Sequence, residues 1–122
     1  MPLERLTPML NVRDLEATVA WYQGVGFELV DAVEHEGVRN WALLVRDGAS
    51  LMINLREATP EGAAAGVDLY FRVDDIDALW AELGGRPEVC EPLQERFYGV
   101  RDFWMADCNG TMLGFGQPLD AQ

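Results

Sequence analysis

The 122-residue chain contains no lysine: all nine of its basic residues are arginines. Schiff-base chemistry and the phosphate contact of a P-loop both need a lysine ammonium, so neither is open to it. Histidine and serine occur once each, as His35 in the polar run EHEG and as Ser50. A Ser-His-acid triad would depend on that one pair. One histidine and two well-separated cysteines, Cys90 and Cys108, give no zinc-ligand spacing and leave only carboxylate-rich metal sites open. No uncharged run reaches the roughly 18 residues of a membrane span. The opening MPLERLTPML lacks a basic region followed by a long apolar stretch. The expectation is a cytoplasmic protein whose thiols stay reduced.

Against nine arginines stand 21 acidic residues, for a net charge of −12. That charge repels phosphate backbones and anionic lipid heads, so neither nucleic acid nor membrane is an expected partner. It would attract a cationic small molecule, and it also serves simply as a solvated surface that keeps the protein soluble. With 49% hydrophobic residues the chain suits one globular domain, 1–122, that buries a real core.

MLNVRDLEATVAWYQGVGF (9–27) begins as an apolar strand and reaches Asp14, a natural N-cap. Leu15, Val19 and Tyr22 then recur at helical spacing up to the glycines at 24 and 26. Three extended runs follow, FELVDAV, RNWALLV and SLMINLR, separated by turn residues. EATPEGAAAG (57–66) reads as a connection. The first pattern then returns at an offset of 61, with Val12 on Val73, Asp14 on Asp75, Leu15 on Ile76, Ala17 on Ala78 and Gly24 on Gly85. EVCEPL, VRDFWMA and TMLGFG complete a second set of strands, with Asp107-Cys108-Asn109-Gly110 as a turn. The expectation is an α+β chain of two β-α-β-β-β repeats, over about 1–57 and 66–119, each too small to be comfortable alone.

PMLNVRDLEATVAWYQGVGF at the start, VDLYFRVDDIDALWAEL in the middle and YGVRDFWMADCNGTMLGF at the end together resemble the vicinal oxygen chelate superfamily of glyoxalase I, extradiol dioxygenases and bleomycin-resistance proteins. The TPML…RDL opening and the acidity are most similar to the bleomycin-resistance branch. Cys108 departs from the usual proline and Thr111 from a common asparagine. The resemblance implies two βαβββ modules whose curved, mostly antiparallel sheets form a cup with helices outside, in a homodimer. Pro8 reads as lying within the first strand, where it removes one ladder donor and suggests an edge or a bend; the resemblance implies exchange of this arm across the dimer, and a plain edge strand stays open beside it. The resemblance also implies four metal-ligand positions, which fall on Thr7, Asn54, Asp68 and Gly114. A hydroxyl, an amide, one carboxylate and a glycine do not replace histidine and glutamate donors, so no metal and no cofactor is expected. Asp68 reads instead as an acid at a strand start.

Alternation along a strand places Tyr70, Arg72, Met52, Arg56 and Met112 on the cup side if Asp68, Asn54 and Gly114 face it. Leu69, Phe71, Ile53, Leu113 and Phe115 then pack beneath the helices. Trp21 and Trp80, on the helices, read as core. By the motifs WALLVRDG and YGVRDF, Trp41 and Tyr98 match positions where drug-binding relatives carry aromatics that stack on a flat ligand. Ligand contact and plain core packing both stay open for them. Phe103, Met105 and Met52 read either as adaptable apolar lining or as core. Asp102 and Asp68, then Glu95, are the candidate partners of a cationic tail, and Asp102 reads equally as the partner of Arg101 in a local ion pair.

Two functions follow, and a third class, a protein that binds an unrelated metabolite or partner through its acidic surface, stays open beside them. The first is a protein that sequesters a planar, cationic antibiotic-like molecule of the bleomycin class and needs no catalytic residue. The alternative is a glyoxalase-type lyase or isomerase, either with a weakly held metal or metal-free with Asp68 or Glu95 as general base.

Overall fold

A computed structural model describes residues 1–61 and 66–119. The chain divides into two compact units, Met1–Ala63 and Ala64–Gln122. The first holds β1 (Met9–Val12), α1 (Leu15–Gly24), β2 (Glu28–His35), β3 (Val38–Arg46) and β4 (Ala49–Leu55). The second repeats the order with β5 (Asp68–Arg72), α2 (Ile76–Leu83), β6 (Val89–Glu95), β7 (Val100–Ala106) and β8 (Met112–Pro118). The fold is α+β, and the expected β-α-β-β-β pattern is present in each unit. Part of the connection expected over 57–66 falls outside the described residues. No helix among the described residues is long and apolar enough to cross a membrane.

Both helices start by the same device. Asp14 accepts the N–H of Ala17 at 3.0 Å and Asp75 that of Ala78 at 3.1 Å. Each cap satisfies one of the orphan donors of the first turn, a contribution of about 1 kcal/mol. An arginine on a strand then ties each first turn down, Arg39 to Glu16 and Arg101 to Asp77. The hydrogen bond from Arg39 holds the Glu16 carboxyl below the usual carboxylate range. The β2–β3 register steps over Asn40 between Trp41 and Arg39. A bulge of this kind re-aims the side chain beyond it, which leaves Arg39 free to reach α1.

Each unit has one four-stranded sheet, β1-β4-β3-β2 in the first and β5-β8-β7-β6 in the second. The first strand of each runs parallel to the last, Met9 beside Met52 and Asp68 beside Met112, and the other pairs are antiparallel. Strand alternation sends every second residue toward the helix. In the first unit Ala42, Leu44, Leu51 and Ile53 are buried together with Leu15, Val19 and Tyr22 of α1. In the second, Phe103, Met105, Leu113 and Phe115 are buried with Ile76, Leu79 and Leu83 of α2. Burying each of these large side chains contributes about 1.5–3 kcal/mol. Trp80 meets Phe103 edge-on at 5.1 Å, and Phe115 stacks between Phe71 at 5.0 Å and Phe103 at 5.2 Å.

Pro8 stands just before β1, an edge strand, so its missing N–H removes nothing from the ladder, while its carbonyl accepts Met52 N–H at 2.9 Å. Asp107 locks the β7–β8 turn by accepting the backbone N–H groups of Asn109 at 2.8 Å and Thr111 at 2.9 Å. Cys90 and Cys108 are exposed and are not joined in a disulfide.

Candidate functional site

The face of the second sheet turned away from α2 carries an open cleft of about 370 Å³, lined by Asp68, Glu91, Arg96, Tyr98, Trp104 and Met112. Its floor is made by what β8 lacks. A Cβ on Gly114 would stand 2.7 Å from both the Tyr70 and Trp104 rings, and one on Gly116 would collide with the Tyr70 hydroxyl. The GFG run at 114–116 therefore gives two aromatic side chains room to lie across bare backbone. Their ring centroids are 5.7 Å apart and tilted by 37°.

Beneath the floor lies Asp102, with 0% of its surface exposed. Its Oδ1 accepts Arg96 Nε–H at 2.7 Å and its Oδ2 accepts the Tyr70 hydroxyl at 3.2 Å. Arg96 donates in turn from Nη2 to Glu91 Oε1 at 2.7 Å. These bonds to Asp102 and Glu91 hold the guanidinium in its charged form and raise its pKa further. Burial of the phenol over Gly116, with the Asp102 charge beside it, pushes Tyr70 up to about 12. Asp68, Glu91 and Asp102 set three carboxylates against one guanidinium, so the cleft is anionic.

Several sequence candidates meet here. Tyr98 stands on the rim, 58% exposed, edge-on to a fully exposed Phe97 at 5.1 Å. Asp68 and Met112 line one side, and Tyr70 backs Trp104. Four candidates are placed otherwise. Phe103 and Met105 are fully buried on the helix face, because Asp102 and Trp104 alternate with them and take the cleft face. Asp102 pairs with Arg96 rather than with Arg101 or a ligand cation, both of its oxygens being occupied in a site that no solute reaches. Glu95 is exposed on β6, opposite Arg101 in register, and does not line the cleft. Sequence reasoning passed over Arg96, Glu91 and Trp104 as site residues. The signal for Trp104 was available, since it faces Gly114 directly across β7 and β8.

Trp41, Met52 and Asn54 lie in the first unit, on the sheet face away from α1. Trp41 is half-buried opposite Asn54, whose amide donates to Asn11 Oδ1 at 3.0 Å. The divalent metal implied by the superfamily resemblance does not fit these residues. Asn54 supplies only an amide, Asp68 alone supplies a carboxylate, and at Gly114 two aromatic rings occupy the place of a ligand side chain. Among the described residues no three His, Cys, Asp or Glu side chains form a metal-binding group.

Solved structures with this fold include TioX from Micromonospora sp. ML1, 22% identical over 98% of this chain and 99% of that one, with a TM-score of 0.74. A bleomycin-binding protein complexed with bleomycin is also 22% identical, over 94% and 98%, with a TM-score of 0.74. TnmS3, an antibiotic binding protein from Streptomyces sp. CB03234, is 27% identical over 97% and 98%, with a TM-score of 0.71. No curated protein matches the chain. The family model of the glyoxalase/bleomycin resistance protein/dioxygenase superfamily matches residues 5–115, and the chain belongs to that superfamily.

Proposed function

We propose that the protein binds a planar, cationic, antibiotic-like small molecule of the bleomycin class and holds it without altering it, as a homodimer. The observation that carries this reading is the cleft of the second unit, where an aromatic floor on glycine backbone is ringed by excess carboxylate. A flat ring laid on Trp104 gains buried area plus about 0.5–1.5 kcal/mol of stacking. A cation beside it is favoured by Asp68 and Glu91, although exposed pairs of this kind add only about 0–1 kcal/mol each. Affinity therefore rests on the rings, while the acidic surface speeds encounter. The similar structures described as bleomycin-binding and antibiotic binding support the reading. Trp41 occupies in the first unit the register position that Trp104 occupies in the second, and it is the ligand contact proposed there.

The test is a bleomycin titration followed by thermal unfolding and tryptophan fluorescence. Binding should raise Tm with ligand concentration, by the equivalent of about 2.7 kcal/mol at one hundred times Kd. Trp104→Ala and Tyr98→Ala should each weaken binding about tenfold, the loss expected for a buried aromatic contact. Bleomycin recovered from the complex should have unchanged mass. An unmoved Tm with bleomycin and with other polycyclic cations rejects the ligand class, and a chemically altered ligand rejects the absence of catalysis.

A further inference from the structure

We propose that Asp102 is the positioning residue of the cleft: a carboxylate that no ligand touches sets both the aromatic floor and the rim. The inference rests on the binding role proposed above and adds to it the device that keeps the site in shape. Tyr70 is 48% exposed and lies over Gly114 and Gly116, so no side chain wedges it from below. Its polar anchor is the bond to Asp102 Oδ2. Arg96, on Asp102 Oδ1, opens the turn that carries Tyr98: its N–H donates to Val100 O at 2.7 Å and its carbonyl accepts Gly99 N–H at 3.1 Å. One carboxylate thus holds a floor residue from β5 and the base of a rim turn between β6 and β7. A buried ion pair is weak support for stability, because desolvation offsets the attraction. Orientation, by contrast, needs both of these bonds, and a site held in its bound form loses less freedom when the ligand arrives.

The experiment compares the wild-type chain with Asp102→Asn, which keeps the size but not the charge, and with Phe103→Leu, the neighbouring residue on the helix face. Bleomycin affinity is followed by tryptophan fluorescence. The ring pair is followed without ligand by near-UV circular dichroism, taking the signal removed by Trp104→Phe as its measure. Asp102→Asn should lose that signal and bind bleomycin at least about tenfold more weakly. Phe103→Leu should lower Tm while leaving affinity and signal in place. If Asp102→Asn keeps both, whatever its Tm, the inference is overturned. Should Asp102→Asn not fold, Tyr70→Phe decides, since it removes one hydroxyl: loss of the dichroic signal supports the inference and its retention overturns it. A wild-type chain that ignores bleomycin overturns the binding role alone, and the ligand-free signal still decides the role of Asp102.

Discussion

The two units can be compared position by position, because their strand registers coincide. Trp41 faces Asn54 and Asn54 faces Asn11 in the first; Trp104 faces Gly114 and Gly114 faces Tyr70 in the second. Met52 corresponds to Met112, and Met9 to Asp68. On the helix side both units keep apolar residues at matching places, Ala42 and Ile53 against Met105 and Leu113. On the other side one tryptophan and one methionine persist while the rest diverges. An amide pair, Asn54 to Asn11, stands where the second unit has a glycine with a tyrosine laid over it. Core positions are constrained by packing density, and the opposite face is free to acquire chemistry.

The sharpest way to test this asymmetry is to remove the polar centre of each face. Asp102→Ala should cost about 3 kcal/mol in urea unfolding, at the lower end for a broken buried pair because Arg96 keeps 19% of its side chain exposed. Asn54→Ala in the first unit should cost less than about 1 kcal/mol, the value of a solvent-reachable neutral hydrogen bond. Equal losses would break the comparison.

The next effect is steric. Gly114→Ala drives a methyl against both floor rings and should cost about 2 kcal/mol as overpacking, with a shift in tryptophan emission. Asn54→Gly should cost about 1–1.5 kcal/mol, the ordinary penalty of glycine in a strand added to the lost bond to Asn11. The smallest effect is a titration. Tyr70 should ionise at about 12, seen as a phenolate absorbance step that Tyr70→Phe deletes. Because that value lies above the ordinary 10, the neutral phenol's contribution to stability is complete below pH 10 and is lost as pH rises through about 12. A step at 10 would mean that the phenol is not held over Gly116.

Most of this architecture was legible in the residues. Asp14 and Asp75 announced the helices, the 61-residue offset announced the duplication, and two-residue alternation assigned β4, β5 and β8 to their faces. The cleft was legible only in part. Tyr70, Tyr98, Asp68 and Met112 follow from motif and alternation, but Phe103 and Met105 do not, since applying the same alternation to β7 gives the cleft to Asp102 and Trp104. Arg96 and Glu91 escaped for a different reason. Their meeting depends on the β6–β7 register, which shifts on both sides of Glu91, and local sequence does not set such irregularities. Nor does composition tell a buried carboxylate from a solvated one: Asp102 is one of 21 acids and reads like the rest.

In both sheets the strand that comes last in the unit is an inner one, β4 between β1 and β3, β8 between β5 and β7. The opening strand therefore has no neighbour to bond until the closing strand has emerged and slipped in beside it. Folding of each half is gated by a loop closure some forty residues long, whose entropy is spent before the ladder returns anything. A nascent chain halted short of residue 112 would hold β5 as a lone ribbon, and that waiting interval is when the protein is most exposed to misassembly.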